Sequence, residues 1–110
     1  MIDIKDTIEA MTSDNYQMRF AAEYWQTKIR YEKLKAMLTK WEACTEKYSS
    51  SYTEDFNREL EHALGFRPTC PFSMLRDQQK HMGEYLHSLE LRAALEQIDL
   101  GEYLFYKKAL

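Results

Sequence analysis

A stretch without glycine or proline, from Asn15 to Lys47, is the feature that most restricts how this chain can fold. Apolar and aromatic residues recur along it at alternating spacings of four and three, the heptad pattern of helices packed nearly parallel or antiparallel. The residues on this seam are Phe20, Tyr24, Thr27, Tyr31, Leu34, Leu38 and Trp41. The pattern predicts one long helix over about 15–47 with a helical neighbour along the seam.

The first half of this predicted helix carries a second apolar face. Its members are Met18, Ala22, Trp25 and Ile29. A helix that buries two faces usually has two neighbours. The second neighbour is expected to be either the N-terminal segment or another subunit.

Short helices, a connector and a second long helix complete the predicted order of elements. Residues 3–11 can form a short helix with Ile4, Ile8 and Met11 on one side. A polar connector precedes a short helix over about 54–64, which Gly65 is suited to terminate. A second long helix is predicted over about 71–98, and an aromatic C-terminal segment can form one more short helix.

These elements predict an all-α fold and one domain over residues 1–110. Only three glycines and two prolines occur in the chain, which favours helices over a sheet with many turns. The two long helices have similar lengths, so we expect a long antiparallel helical hairpin. Short additional helices are expected at the N-terminus, in the connector and at the C-terminus.

The second long helix contains a glycine and a polar pair where a simple core would place leucine. Gly83 costs about 1 kcal/mol against alanine in mid-helix, so its presence indicates close approach of another helix. A buried glutamine must satisfy its amide, which favours one register of pairing. The residues predicted to make this helix contact, within or between subunits, are Gly83, Gln78, Met82, Tyr85 and Leu89.

The charge pattern excludes several classes of protein. The net charge is −3 and the charges are interspersed, which argues against a general nucleic-acid binder. No apolar run approaches the ~20 residues of a membrane span, and "MIDIKDTIEA" lacks the pattern of a signal peptide. We therefore expect a cytosolic protein with no membrane partner, in which Cys44 and Cys70 are free thiols.

No residue constellation in the sequence specifies a reaction. His81 and His87 miss the i, i+4 spacing of a helical metal site, and His62 stands apart from both. There is no glycine-rich phosphate loop and no GxSxG motif. The sequence therefore predicts a protein that is not an enzyme and that uses no metal and no cofactor.

A family resemblance adds a lead on origin. Gln78, Met82, Tyr85, Leu89 and Arg92 follow the spacing Q-x3-M-x2-Y-x3-L-x2-R, and "EYWQTKIRYEKLKAML" at 23–38 resembles its partner helix. The chain resembles a family of small helical-hairpin proteins of phages and prophages of gut bacteria, named after a crAss-like phage gene product. The resemblance covers about 19–46 and 72–98, and the connector helix and both ends depart from it. It implies a two-helix core and a phage or prophage origin, and by association a role in counter-defence in the bacterial host cytosol.

Aromatic residues beside arginine or lysine supply the candidate binding groups. Tyrosine, tryptophan and arginine are enriched at binding hot spots, and aromatic faces also stack nucleobases. The candidates for ligand or partner binding are Arg67, Arg76, Arg92, Tyr103, Tyr106 and Lys107. The leading hypothesis is a non-catalytic homo-oligomer, a dimer or higher, that sequesters a nucleotide immune signal. The alternatives are an inhibitor that binds a host defence enzyme, such as an anti-CRISPR protein, and a small structural or regulatory phage protein.

Overall fold

A computed structural model of the chain describes residues 2–48 and 54–102. A 3-10 helix at Ile4–Thr7 leads into α1 (Ile8–Met11), and α2 follows (Tyr16–Lys47). The next helices are α3 (Glu54–Leu64) and α4 (Phe72–Glu96). The described residues contain no strand, so the predicted all-α fold is confirmed. The additional C-terminal helix was predicted for a segment that lies outside the described residues.

The described chain packs as two compact units. Of the described residues, 2–31 and 81–102 form the first unit, and 32–48 and 54–80 form the second. Each contains a part of α2 and a part of α4. A single domain over 1–110 stays a prediction. In neither part of the described chain is a helix long and apolar enough to cross a membrane.

The core of the first unit lies between α2 and the second half of α4. Its buried residues are Phe20, Tyr24, Leu86, Leu89, Ala93 and Ile98. Tyr16 bonds to Glu96 and Tyr24 bonds to Glu90, so residue numbers rise along α2 while they fall along α4. Within the first unit, α2 and α4 are therefore antiparallel, as predicted.

The second apolar face of α2 is covered by the N-terminal segment. Ile2 and Ala10 pack there against Ala21 and Ala22, which are both fully buried. Of the two neighbours expected for this face, the structure therefore places the N-terminal segment on it. The side of the N-terminal segment expected to be apolar is exposed instead, since Ile8 is 60% exposed while Thr7 and Ala10 are buried.

The chain turns sharply after α4. Gln97 has a φ of 58°, and the Ile98 amide donates to the Ala93 carbonyl at 2.9 Å. This hydrogen bond is typical of a Schellman motif, in which a residue in the left-handed conformation follows the last helical residue. The helix therefore ends at Glu96 and not near residue 98, and the turn returns Ile98 to the core.

The second unit packs α3 against the later part of α2. Phe56 and Leu60 on α3 are buried against Leu38, Trp41 and Cys44. Gly65 follows α3 with a φ of 83°, a left-handed conformation that glycine adopts without steric cost. Both cysteines are free thiols, Cys44 buried and Cys70 half-buried.

Candidate functional site

Three side chains in the first unit form a closed ring of hydrogen bonds at the surface. Arg92 Nε donates to Glu96 Oε2 at 3.3 Å, and Arg92 Nη2 donates to the Tyr16 hydroxyl oxygen at 2.8 Å. The Tyr16 hydroxyl in turn donates to Glu96 Oε1 at 3.1 Å. One carboxylate therefore bridges an arginine and a tyrosine, each of which can donate to an anion.

An aromatic ring supports the guanidinium of this group. The Arg92 Cζ atom lies 4.9 Å from the centroid of the Phe20 ring, which is within cation–π range. Even so, the Arg92 side chain is 53% exposed and Tyr16 is 45% exposed. We call Tyr16, Phe20, Arg92 and Glu96 the Arg92 cluster.

Helical spacing and antiparallel packing together build the Arg92 cluster. Tyr16 is the first residue of α2, and Phe20 lies one turn later on the same face. Arg92 and Glu96 are four residues apart in the last turns of α4, a favourable spacing for an ion pair. Of these four residues, the sequence predicted a binding role for Arg92 alone and a place on the heptad seam for Phe20. Each i, i+4 pair is visible in the sequence, but the contact between the pairs depends on the register of α2 against α4.

The other two candidate arginines belong to the second unit and also pair with carboxylates. Arg67 lies 3.6 Å from Glu54 and 3.5 Å from Glu61. Arg76 pairs with Glu42, and its guanidinium lies 5.9 Å from the centroid of the Phe72 ring. Tyr103, Tyr106 and Lys107 lie outside the described residues.

The residues predicted for helix contact have different environments. A Cβ on Gly83 would lie 3.3 Å from Tyr31 Cε1, so the glycine marks a close approach of α4 to a side chain of α2. Leu89 is 1% exposed, and Met82 is half-buried. Gln78 is exposed and belongs to the second unit.

Tyr85, the remaining residue predicted for helix contact, reaches α2 through its hydroxyl group. That hydroxyl donates to Glu23 at 2.5 Å, although the residue is 43% exposed. The hydrogen bond to the Glu23 carboxylate raises the pKa of Tyr85 above its ordinary value, since it favours the protonated phenol.

A shallow cleft in the second unit is a different kind of candidate. It has a volume of about 450 Å³ and is lined by Tyr48, Asp55, Arg58, Glu59 and His62. This volume is within the range of small-molecule sites. Both carboxylates of the lining are ion-paired, Asp55 with Arg58 at 3.6 Å and Glu59 with Lys47 at 2.7 Å, so the cleft offers no net positive charge to a phosphate.

One carboxylate of the cleft is already engaged by its neighbours. Glu59 accepts a hydrogen bond from Lys47 at 2.7 Å and another from the Tyr48 hydroxyl. These two bonds, first that from Lys47, lower the pKa of Glu59. The same contacts with Glu59 raise the pKa of Lys47 and of Tyr48. Glu59 is therefore ionised at neutral pH, and the Lys47 ammonium group offsets its charge.

A search of the described residues finds no group of three or more histidine, cysteine, aspartate or glutamate side chains that could hold a metal ion. The charged side chains described above are instead arranged as ion pairs and tyrosine–carboxylate pairs. Such pairs can bind and orient a ligand, and the contacts described here include no nucleophile held by a general base.

Comparison with known proteins gives one match. The model of a family named Sequestin matches residues 14–58, which contain α2, the connector and the start of α3. No curated protein and no solved structure matches the chain. The match overlaps the first helix of the phage-family resemblance but does not reach α4, so a relation to a crAss-like phage family stays a prediction. Over residues 14–58, which are less than half of its length, the chain is similar to the Sequestin family.

Proposed function

We propose that this protein is a non-catalytic binding protein that sequesters a small nucleotide signal of host immunity. The name of the family that matches residues 14–58 refers to sequestration, and this supports a stoichiometric binding role. The proposal places the protein in the cytosol of a bacterial host, as a phage or prophage accessory protein that counters defence. It needs no catalytic residue, metal or cofactor.

The observation that carries the ligand class is the Arg92 cluster. Its guanidinium lies against the Phe20 ring and donates to a carboxylate that Tyr16 also contacts. Stacked arginine binds phosphate and also offers a planar face to a nucleobase.

Self-association is a further part of the proposal. The second apolar face of α2 is covered within the chain, so it no longer requires a partner. Two other apolar side chains, Leu91 and Leu95, are 54% and 76% exposed on α4. They lie four residues apart and so share one helix face, which a second copy of the chain would cover. Light scattering should show a mass above 13.2 kDa at micromolar protein, and a monomer throughout would remove this part of the proposal.

Native mass spectrometry of protein purified from its host tests the function most directly, because it reports oligomer, partner and ligand together. Retention of a nucleotide-sized molecule is the expected result. Calorimetry should then show stoichiometric binding to at least one member of a panel of cyclic nucleotides and cyclic ADP-ribose isomers. A panel that gives no heat, combined with a stoichiometric host protein in the spectrum, would replace the proposal with that of a protein-binding inhibitor.

A further inference from the structure

We infer that the Glu96 carboxylate occupies the position that a ligand phosphate takes in the Arg92 cluster. This inference rests on the proposed function and adds a location, a ligand class and a built-in competitor. The ligand is a planar base that carries a phosphate. Glu96 then acts as an internal anion that such a ligand must displace.

The hydrogen-bond ring provides the first argument. The two oxygens of Glu96 accept from two different donors, Arg92 Nε at 3.3 Å and the Tyr16 hydroxyl at 3.1 Å. A phosphate also presents two oxygens on one central atom, which suits the donors of a guanidinium. It can therefore accept the same two hydrogen bonds, and a phosphate monoester, with a charge of about −1.5 to −2, makes both of them stronger than a carboxylate does.

The stacking arrangement provides the second argument. Phe20 covers one face of the Arg92 guanidinium at 4.9 Å, while about half of the arginine side chain remains exposed at 53%. A planar group can stack on a guanidinium as it does on an aromatic ring. A ligand with both a base and a phosphate would use the plane of Arg92 and its donors together, whereas inorganic phosphate would use only the donors.

Glu96 can be displaced at modest cost because it lies at the surface. Its side chain is 40% exposed, and an exposed i, i+4 ion pair contributes little to stability. A carboxylate swung into solvent remains hydrated. The competitor therefore weakens binding without blocking it, and its removal should raise affinity.

The experiment is calorimetric titration of wild type and four variants with AMP, cyclic ADP-ribose and inorganic phosphate. Glu96→Gln should tighten binding of the preferred nucleotide about two- to threefold, because it removes a weak competing charge. Arg92→Lys should weaken binding by about tenfold or more, because lysine keeps the charge but loses the plane and the fork of donors. Tyr16→Phe should weaken binding less, since one donor is lost.

Arg30→Lys is the matched control. Arg30 is an exposed arginine of α2 in the same unit, and its Nε donates to the Gln26 carbonyl. The Arg30→Lys variant should bind the nucleotide with the affinity of the wild type. Circular dichroism melts of every variant should show a folded protein, so that a change in affinity reports the site.

The possible outcomes separate the inference from the proposed function. A wild type that binds a nucleotide with an affinity that Arg92→Lys and Glu96→Gln leave unchanged would overturn the inference and keep the proposed function. Binding by Glu96→Gln but not by wild type would support the inference, because it would show that the Glu96 carboxylate competes with the ligand. If neither wild type nor Glu96→Gln binds any of the three probes, the inference fails, and the wider nucleotide panel then decides the proposed function.

Discussion

Replacing Gly83 by leucine tests how closely α4 approaches Tyr31 on α2. An added Cβ would lie 3.3 Å from Tyr31 Cε1 and 3.6 Å from its hydroxyl oxygen, and leucine extends three carbons further. Overpacking of this kind costs about 1–3 kcal/mol. Leucine also gains about 0.8 kcal/mol of helix propensity over glycine. The net effect on the free energy of unfolding should therefore be a loss of about 0–2 kcal/mol.

A double-mutant cycle isolates the steric term from the propensity term. In a Tyr31→Ala background the ring is gone, so Gly83→Leu should stabilise the protein by about 0.8 kcal/mol. The difference between the two backgrounds should be about 1–3 kcal/mol. Gly83→Ala is the mild control, because Tyr31 is half-buried and its ring needs to move only a few tenths of an ångström. This change should be neutral or stabilising by up to about 1 kcal/mol.

Urea unfolding followed by far-UV circular dichroism measures all of these variants, at two protein concentrations so that self-association is visible. The reasoning would be refuted if Gly83→Leu stabilised the protein equally in both backgrounds. That result would mean that the Tyr31 ring does not limit the space at residue 83.

Three further predictions concern a helix end, a buried hydroxyl and an ion pair. Gln97→Gly should stabilise by about 0.5–1 kcal/mol in urea unfolding, because glycine adopts the φ of 58° more readily, and a destabilised variant would contradict this. Thr7→Val should cost about 1–3 kcal/mol, since the buried Thr7 hydroxyl accepts from Gln26 Nε2 at 2.8 Å, and Thr7→Ser should lose less. Glu59→Gln should lower the melting temperature at neutral pH, where the pKa of Glu59 is held below 4.5 by Lys47. This difference in melting temperature between wild type and Glu59→Gln should shrink as the pH falls below 4.5, because protonation of Glu59 removes its ion pair with Lys47. A difference that is constant with pH would be evidence against the pair.

The positions of the helices were largely predictable because their signals are local. The absence of helix breakers over 15–47 and the heptad spacing predicted α2, which the structure places at Tyr16–Lys47. Gly65, at the end of α3, has the left-handed conformation expected of a terminating glycine. The end of α4 was not predictable, since Gln97 takes a left-handed conformation that its residue type does not favour. The turn at Gln97 brings Ile98 into the core between α2 and α4.

The candidate site shows more clearly which features cannot be predicted from the sequence. Periodicity determined that Tyr16 and Phe20 share one helix face and that Arg92 and Glu96 share another, because the turn of a helix repeats wherever the helix occurs. Which residue of α2 meets which residue of α4 was decided only by tertiary packing. That register follows from the burial of Leu89 and Ala93 against Phe20 and Tyr24, a sum of many small contacts that no single residue encodes. The sequence therefore determined the helices and their apolar faces, and the packed core decided that Arg92 should lie between an aromatic ring, a phenol and a carboxylate.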